Sequence, residues 1–201
     1  MAAPDEGVVA AADLNGDGNL DLVIGTPPSV DIFMGNGNGT FVAHGSYLYS
    51  FYENAPDISS IVVADFNGDH KLDLAAEGTV LLGNGNGTFS GNAFVQTSTT
   101  LIQSPTIGQG VTGDFNGDGK PDVISFTQDT VYVLLGDGIG KLSIANKYAF
   151  PETIQTLATA SLKNNGRLDL VVITTDSSNN WTLNVMLGNG DGSFGAPVPY
   201  T

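Results

Sequence analysis

The oxygen-bearing residues of this sequence fall in a fixed pattern. Asp13-Leu14-Asn15-Gly16-Asp17-Gly18-Asn19-Leu20-Asp21 carries side-chain oxygens at its first, third, fifth and ninth positions. The pattern returns at Asp65, Asn67, Asp69 and Asp73, and again at Asp114, Asn116, Asp118 and Asp122. A tight loop turns alternate side chains inward, and Gly at the fourth and sixth positions relieves the turn. Hard oxygen donors in that number suit calcium, which takes about six to eight oxygens in a flexible shell. The seventh position would add only its main-chain carbonyl, at Asn19, Lys71 and Lys120, so a cationic side chain is tolerated there. Magnesium suits such loops less, because it seldom uses an all-protein cage. The expectation is three Ca2+ sites. They are not EF-hands: the twelfth positions hold Ile24, Ala76 and Ser125 where an EF-hand needs Glu.

Two departures qualify the pattern. The second loop has His70 where the others have Gly18 and Gly119. If that position needs a positive φ, His70 strains it and weakens the second site. A fourth segment has Ser161, Lys163, Asn165 and Asp169, so two carboxylates are gone and no ion is expected. The Lys163 ammonium would stand in for the ion's charge beside Asp169.

Other chemistry finds little support. The chain has no Cys, which excludes a disulfide framework, a thiolate metal site and a Cys nucleophile. His44 and His70 are the two imidazoles, and neither lies in a nucleophile motif. Carboxylates engaged by calcium are not free as general acids, so the chain is expected not to be an enzyme. The Gly-rich GNGNG-type runs precede no helix and read as hairpin turns rather than phosphate cradles. A net charge of -15, from 21 acidic and 6 basic residues, argues against nucleic-acid and anionic-membrane partners. No apolar run reaches spanning length, so no membrane insertion is expected.

The elements that must hold these loops repeat with them. VVAADLNGDGNLDLVIG from Val8, IVVADFNGDHKLDLAAEG from Ile61, GVTGDFNGDGKPDVISF from Gly110 and TLATASLKNNGRLDLVVI from Thr156 align. Each runs into an apolar strand and a Gly-rich turn: GNGNGTF ending at Phe41, GNGNGTF at Phe89, GDGIGKL at Leu142 and GNGDGSF at Phe194. The loop starts are spaced by 52, 49 and 47 residues, with no linker of different composition between them. Each unit reads as four strands, in the first unit Val8–Ala12, Leu20–Thr26, Val30–Met34 and Phe41–Leu48. The first strand is rich in small residues, as an innermost strand crowded around an axis requires. Four-stranded units in tandem predict an all-β fold, a β-propeller of four blades in one domain spanning 1–201. The repeats run over about 7–52, 53–101, 102–150 and 151–201.

The DFNGDGxxD…LLGNGxGTF pattern resembles the FG-GAP/VCBS repeat family, also found in the propeller of integrin α-subunits. The resemblance covers nearly the whole chain, and it implies a calcium-binding β-propeller on secreted or cell-surface proteins. That family's rings usually have about seven blades, so four repeats is a departure. The chain would form a compact four-bladed ring, a half-ring completed by a second copy as a homodimer, or part of a longer array. Met1-Ala-Ala-Pro has no basic or apolar region of a signal peptide, so a leader has been removed or the chain is a piece of a longer one.

Aromatic residues give weaker signals. Tyr47, Tyr49 and Phe51 alternate onto one face; they would pack an outer strand against the next blade, or be exposed to stack on a sugar or protein partner. Trp181 is expected to pack. Asn38-Gly39-Thr40, Asn86-Gly87-Thr88 and Asn180-Trp181-Thr182 match glycosylation acceptors, which matter only in a eukaryotic secretory route. The functional expectation is a non-catalytic extracellular binding or adhesion scaffold with an unknown protein or glycan ligand. The alternatives are a carbohydrate-binding accessory domain of a secreted polysaccharide-acting enzyme, and a self-assembling propeller fragment.

Overall fold

Among the described residues every regular element is a strand, and strands fall where the apolar runs meet Gly-rich turns. The computed structural model describes residues 8–26, 29–48, 61–76, 79–90 and 110–200. The first blade contains β1 (Val8–Ala12), β2 (Asp21–Thr26), β3 (Ser29–Gly35) and β4 (Phe41–Leu48). The second contains β5 (Ile61–Ala64), β6 (Asp73–Ala76), β7 (Thr79–Gly83) and β8 (Phe89–Ser90). The third contains β9 (Val111–Gly113), β10 (Asp122–Phe126), β11 (Thr130–Gly136) and β12 (Leu142–Ala149). The fourth contains β13 (Thr153–Ala160), β14 (Asp169–Thr175), β15 (Trp181–Met186) and β16 (Val198–Tyr200). Each blade is an antiparallel meander with its strands in chain order, and the four are arranged as four consecutive blades of a β-propeller. The second strand of each blade begins at the ninth loop position, one residue later than expected from the apolar residue before it.

The first strand of each blade is innermost, with β1 beside β5, β5 beside β9 and β9 beside β13. Cores form between consecutive blades. Val23, Val30 and Ile32 of blade one meet Leu74, Ala76 and Leu81 of blade two. Val62, Ala75 and Val80 then meet Val123, Leu134 and Leu142 of blade three. Ile124, Phe126 and Val133 meet Leu157, Leu170 and Val172 of blade four. Alternation in a strand sends successive side chains to opposite faces, so a central blade can feed two seams at once. Accordingly β6 is buried on both faces and β10 nearly so, whereas β2 and β14 bury alternate residues. Among the described residues, no hydrophobic cluster joins blade four to blade one.

Tyr47 packs edge-on against Phe89 of the next blade, with ring centroids 5.4 Å apart, as the packing reading expected. Tyr49 and Phe51 lie outside the described residues. Trp181 corrects its expectation: it is 61% exposed, because β15 carries it on the face of blade four turned away from blade three. No helix among the described residues is long and apolar enough to cross a membrane.

Candidate metal centre

The three acidic loops each join the first strand of a blade to the second, and their backbones close around the first aspartate. Asp13 Oδ1 accepts from the Gly16 N–H at 2.8 Å and the Asp17 N–H at 3.1 Å, and its Oδ2 accepts from the Gly18 N–H at 2.9 Å. Asp65 receives the N–H groups of Gly68, Asp69 and His70 in the same way. Asp114 receives those of Gly117, Asp118 and Gly119. The third-position amide oxygens of Asn15, Asn67 and Asn116 each accept from the fifth residue's N–H. The fifth-position carboxylates of Asp17, Asp69 and Asp118 accept from the seventh residue's N–H. At Asp17, the Asn19 N–H and the Asn15 amide hold the carboxyl below its ordinary range.

The seventh position does more than offer a carbonyl. The Lys71 ammonium lies 3.5 Å from Asp69, and that of Lys120 lies 3.8 Å from Asp118. Their stems also lie where a Cβ on Gly85 or Gly138 of the hairpin turn would project, with Asn19 opposite Gly37 in the first blade. Each loop therefore rests on the turn of its own blade.

The ninth-position aspartate is placed differently from its loop partners. Asp21, Asp73 and Asp122 have no exposed surface, and Asp169 has almost none. One oxygen accepts from the second loop residue: Leu14 at 2.9 Å, Phe66 at 2.8 Å, Phe115 at 2.8 Å and Leu162 at 2.9 Å. The other accepts from the glycine that ends the third strand, Gly35, Gly83 or Gly136, or lies two residues past it, Gly188, at 2.7–2.9 Å. That glycine is required, because a Cβ there would collide with the carbonyl oxygen of Leu20, Leu72, Pro121 or Leu168. Burial pushes the Asp73 and Asp122 carboxyls above their ordinary range, and the two backbone donors oppose it.

The donor chemistry of each loop fits a hard cation. Three carboxylates, one amide oxygen and a main-chain carbonyl supply only oxygen, and a carboxylate has about four acceptor sites. Two of those sites are used at each ninth-position aspartate, and three at each first-position one. Among the described residues, however, no three acidic or histidine side chains already converge as a metal-holding group. The structure thus brings Asp13, Asn15 and Asp17 together on one exposed turn, and sets Asp21 beneath it in the blade. The second and third loops repeat this arrangement.

His70 takes φ 64°, where Gly18 takes 86° and Gly119 79°, so the sixth position does require the left-handed region. In the fourth loop Lys163 makes no ion pair among the described residues, and the oxygens of Asp169 are taken by backbone donors. The Lys163 stand-in is therefore not formed. The structural role of the ninth aspartate escaped the sequence reading. Its signal was present: Asp169 persists in the one loop that has lost the other carboxylates.

The loops also stand at the seams between blades. The Gly140 N–H of blade three donates to the Phe66 carbonyl in the second loop at 3.0 Å. The Gly192 N–H of blade four donates to the Phe115 carbonyl in the third loop at 2.9 Å.

The family model for the FG-GAP-like repeat matches residues 13–76 and 114–172, more than half of the chain. No curated protein matches it. Among solved structures, an Agrocybe aegerita lectin described as recognising non-reducing terminal N-acetylglucosamine is similar at 25% identity and a TM-score of 0.62. The match covers 98% of this chain and 52% of the lectin chain. The V. cholerae biofilm matrix protein Bap1 has the same fold at 23% identity and a TM-score of 0.58, over 94% of this chain and 28% of that one. The chain thus spans about half the length of the lectin and less of Bap1.

Proposed function

The chain belongs to the FG-GAP-like repeat family, and on that premise we propose that it is a non-catalytic, calcium-stabilised binding scaffold working outside the cell. The observation that carries this reading is the seam position of the acidic loops: the Phe66 and Phe115 carbonyls are bonded to the turn of the next blade. An ion held by Asp65, Asn67, Asp69, the Lys71 carbonyl and Asp73 would stiffen a blade and its junction together. Asp114, Asn116, Asp118, the Lys120 carbonyl and Asp122 would do so at the next seam, and Asp13, Asn15, Asp17, the Asn19 carbonyl and Asp21 at the first. Calcium would supply charge neutralisation and cross-linking, while the backbone bonds to the first and ninth aspartates keep the loop near its shape. Calcium titration followed by calorimetry tests this: the expected result is saturable binding with up to three ions per chain. No heat above the buffer control would sink it.

The ligand is inferred to be a glycan. The similarity to a lectin along almost the whole of this chain favours that over a protein partner. A glycan array run in calcium and in chelator decides it. Binding to a defined set of sugars supports the reading, and a blank array under both conditions removes it.

A further inference from the structure

The repeats provide their own controls for what each blade surface meets. The residue after each loop's first position is buried in the first three blades, as Leu14, Phe66 and Phe115. Its fourth-blade equivalent, Leu162, is 51% exposed. The aromatic or leucine after each hairpin turn is buried in the last three blades, as Phe89, Leu142 and Phe194. Its first-blade equivalent, Phe41, is 42% exposed. The last glycine of the turn tells the same story. A Cβ on Gly87, Gly140 or Gly192 would meet Met34, Leu82 or Leu135 of the preceding blade, while one on Gly39 would meet nothing. Blade four therefore presents a surface that elsewhere receives a following blade, and blade one a surface that elsewhere covers a preceding one.

Both surfaces are largely apolar. On blade four, register puts Val171, Ile173, Trp181, Leu183, Val185 and Val198 on the face opposite the core with blade three. On blade one, Val9, Ala11, Leu22, Ile24 and Phe33 share the face opposite the core with blade two. In a chain with a net charge of -15, one carboxylate shares these faces: Asp31 lies opposite Ile24 on blade one, with the Thr26 and Ser29 hydroxyls bonded to it. Val9, Trp181, Leu183 and Val198 are exposed and the central-strand residues half-buried, and apolar stripes left open in this way mark interfaces.

We propose that two copies of this chain close head to tail into one ring, blade four of each packing on blade one of the other. The occupant follows from the repeat itself, since the surface that fits blade four is another blade-one surface. In that contact Phe41 of the second copy would cover Leu162, as Phe89 accompanies Leu14 in the first seam. Each contact joins unlike faces, and two such contacts related by a two-fold axis close the ring. The share of a longer similar chain agrees with closure by two: the match covers 98% of this chain and 52% of the lectin chain, about half of its length. The inference stands apart from calcium and ligand binding.

Sedimentation equilibrium of the intact chain, with calcium and with chelator, tests it. The expected mass is twice the 20.7 kDa of one chain. Ile173→Arg on the receiving face and Val9→Arg on the covering face should each give a single-chain mass, with the β-sheet circular dichroism and cooperative melt retained. Ile173 and Val9 lie outside the loops, so these variants leave calcium binding unchanged. A single-chain wild-type mass at about 100 μM would overturn the proposal, as would higher multiples or filaments. It also fails if one of the two folded variants stays dimeric, because a symmetric contact through a single face would then hold the copies together.

Discussion

Asp169 sits in a loop without its other acidic positions, yet keeps both backbone bonds that Asp21, Asp73 and Asp122 make. Its carboxylate holds the start of the loop against the end of the third strand by itself. Asp169→Asn can accept with one oxygen only, and its amide nitrogen would face a second donor. Leaving a buried N–H unmade costs about 1–3 kcal/mol, so urea unfolding should report a loss of about 2 kcal/mol, equal in calcium and in chelator. His70 is the opposite case, a side chain where the backbone asks for glycine. The left-handed region costs roughly 1–2 kcal/mol for a residue with a Cβ, and glycine gives back about 0.5–1 kcal/mol in chain entropy. His70→Gly should therefore raise stability by about 0.5 kcal/mol and tighten calcium binding at the second loop; weaker binding would show that the imidazole helps the site.

At the scale of the element, the seams are held by outer-strand tyrosines as well as by the cores. Tyr148 accepts the Phe194 N–H of blade four at 2.7 Å, and Tyr47 accepts the Phe89 N–H of blade two at 3.1 Å. Tyr148→Phe keeps the ring packing and removes the acceptor. The orphaned N–H should cost about 1–3 kcal/mol, measured as a shift in the urea midpoint without change in slope. The acidic loops are elements of the same kind. Each gathers three carboxylates, and an ion bound only by the folded state stabilises it by mass action. Thermal melts in excess chelator should fall well below those in calcium, with Asp118→Ala removing part of the difference. A melt indifferent to chelator would leave the loops as hydrogen-bonded turns.

The whole molecule has a net charge of -15, concentrated in the loops, and three divalent ions would bring it to -9. Self-repulsion of that size destabilises the compact state, and salt screens it as the Debye length falls from about 30 Å at 10 mM to about 3 Å at 1 M. In chelator the melting temperature should climb with added sodium chloride. In calcium the climb should be distinctly smaller; equal slopes would mean the ions do not neutralise the loops. The two apolar end faces belong to this scale too, since they matter only when a whole arc meets another.

The sequence by itself determined the repeat, the strands and the oxygen donors. These are local: the strand period, the glycine-rich turns and the Asp-Asn-Asp spacing are all written within about twenty consecutive residues. The observed strands of blade one, Val8–Ala12 and Phe41–Leu48 among them, coincide with the apolar runs for that reason. What only the tertiary structure decided is where each blade's surfaces go. Leu162 and Phe115 occupy the same place in their repeats, and one is exposed while the other is buried. Trp181 is exposed for the same reason, because burial across a seam depends on the neighbouring blade and not on the residue. The ninth aspartate likewise earns its place through glycines 10–19 residues away. Spacing marks it as one more ligand, and three-dimensional packing also makes it the bond that closes each blade.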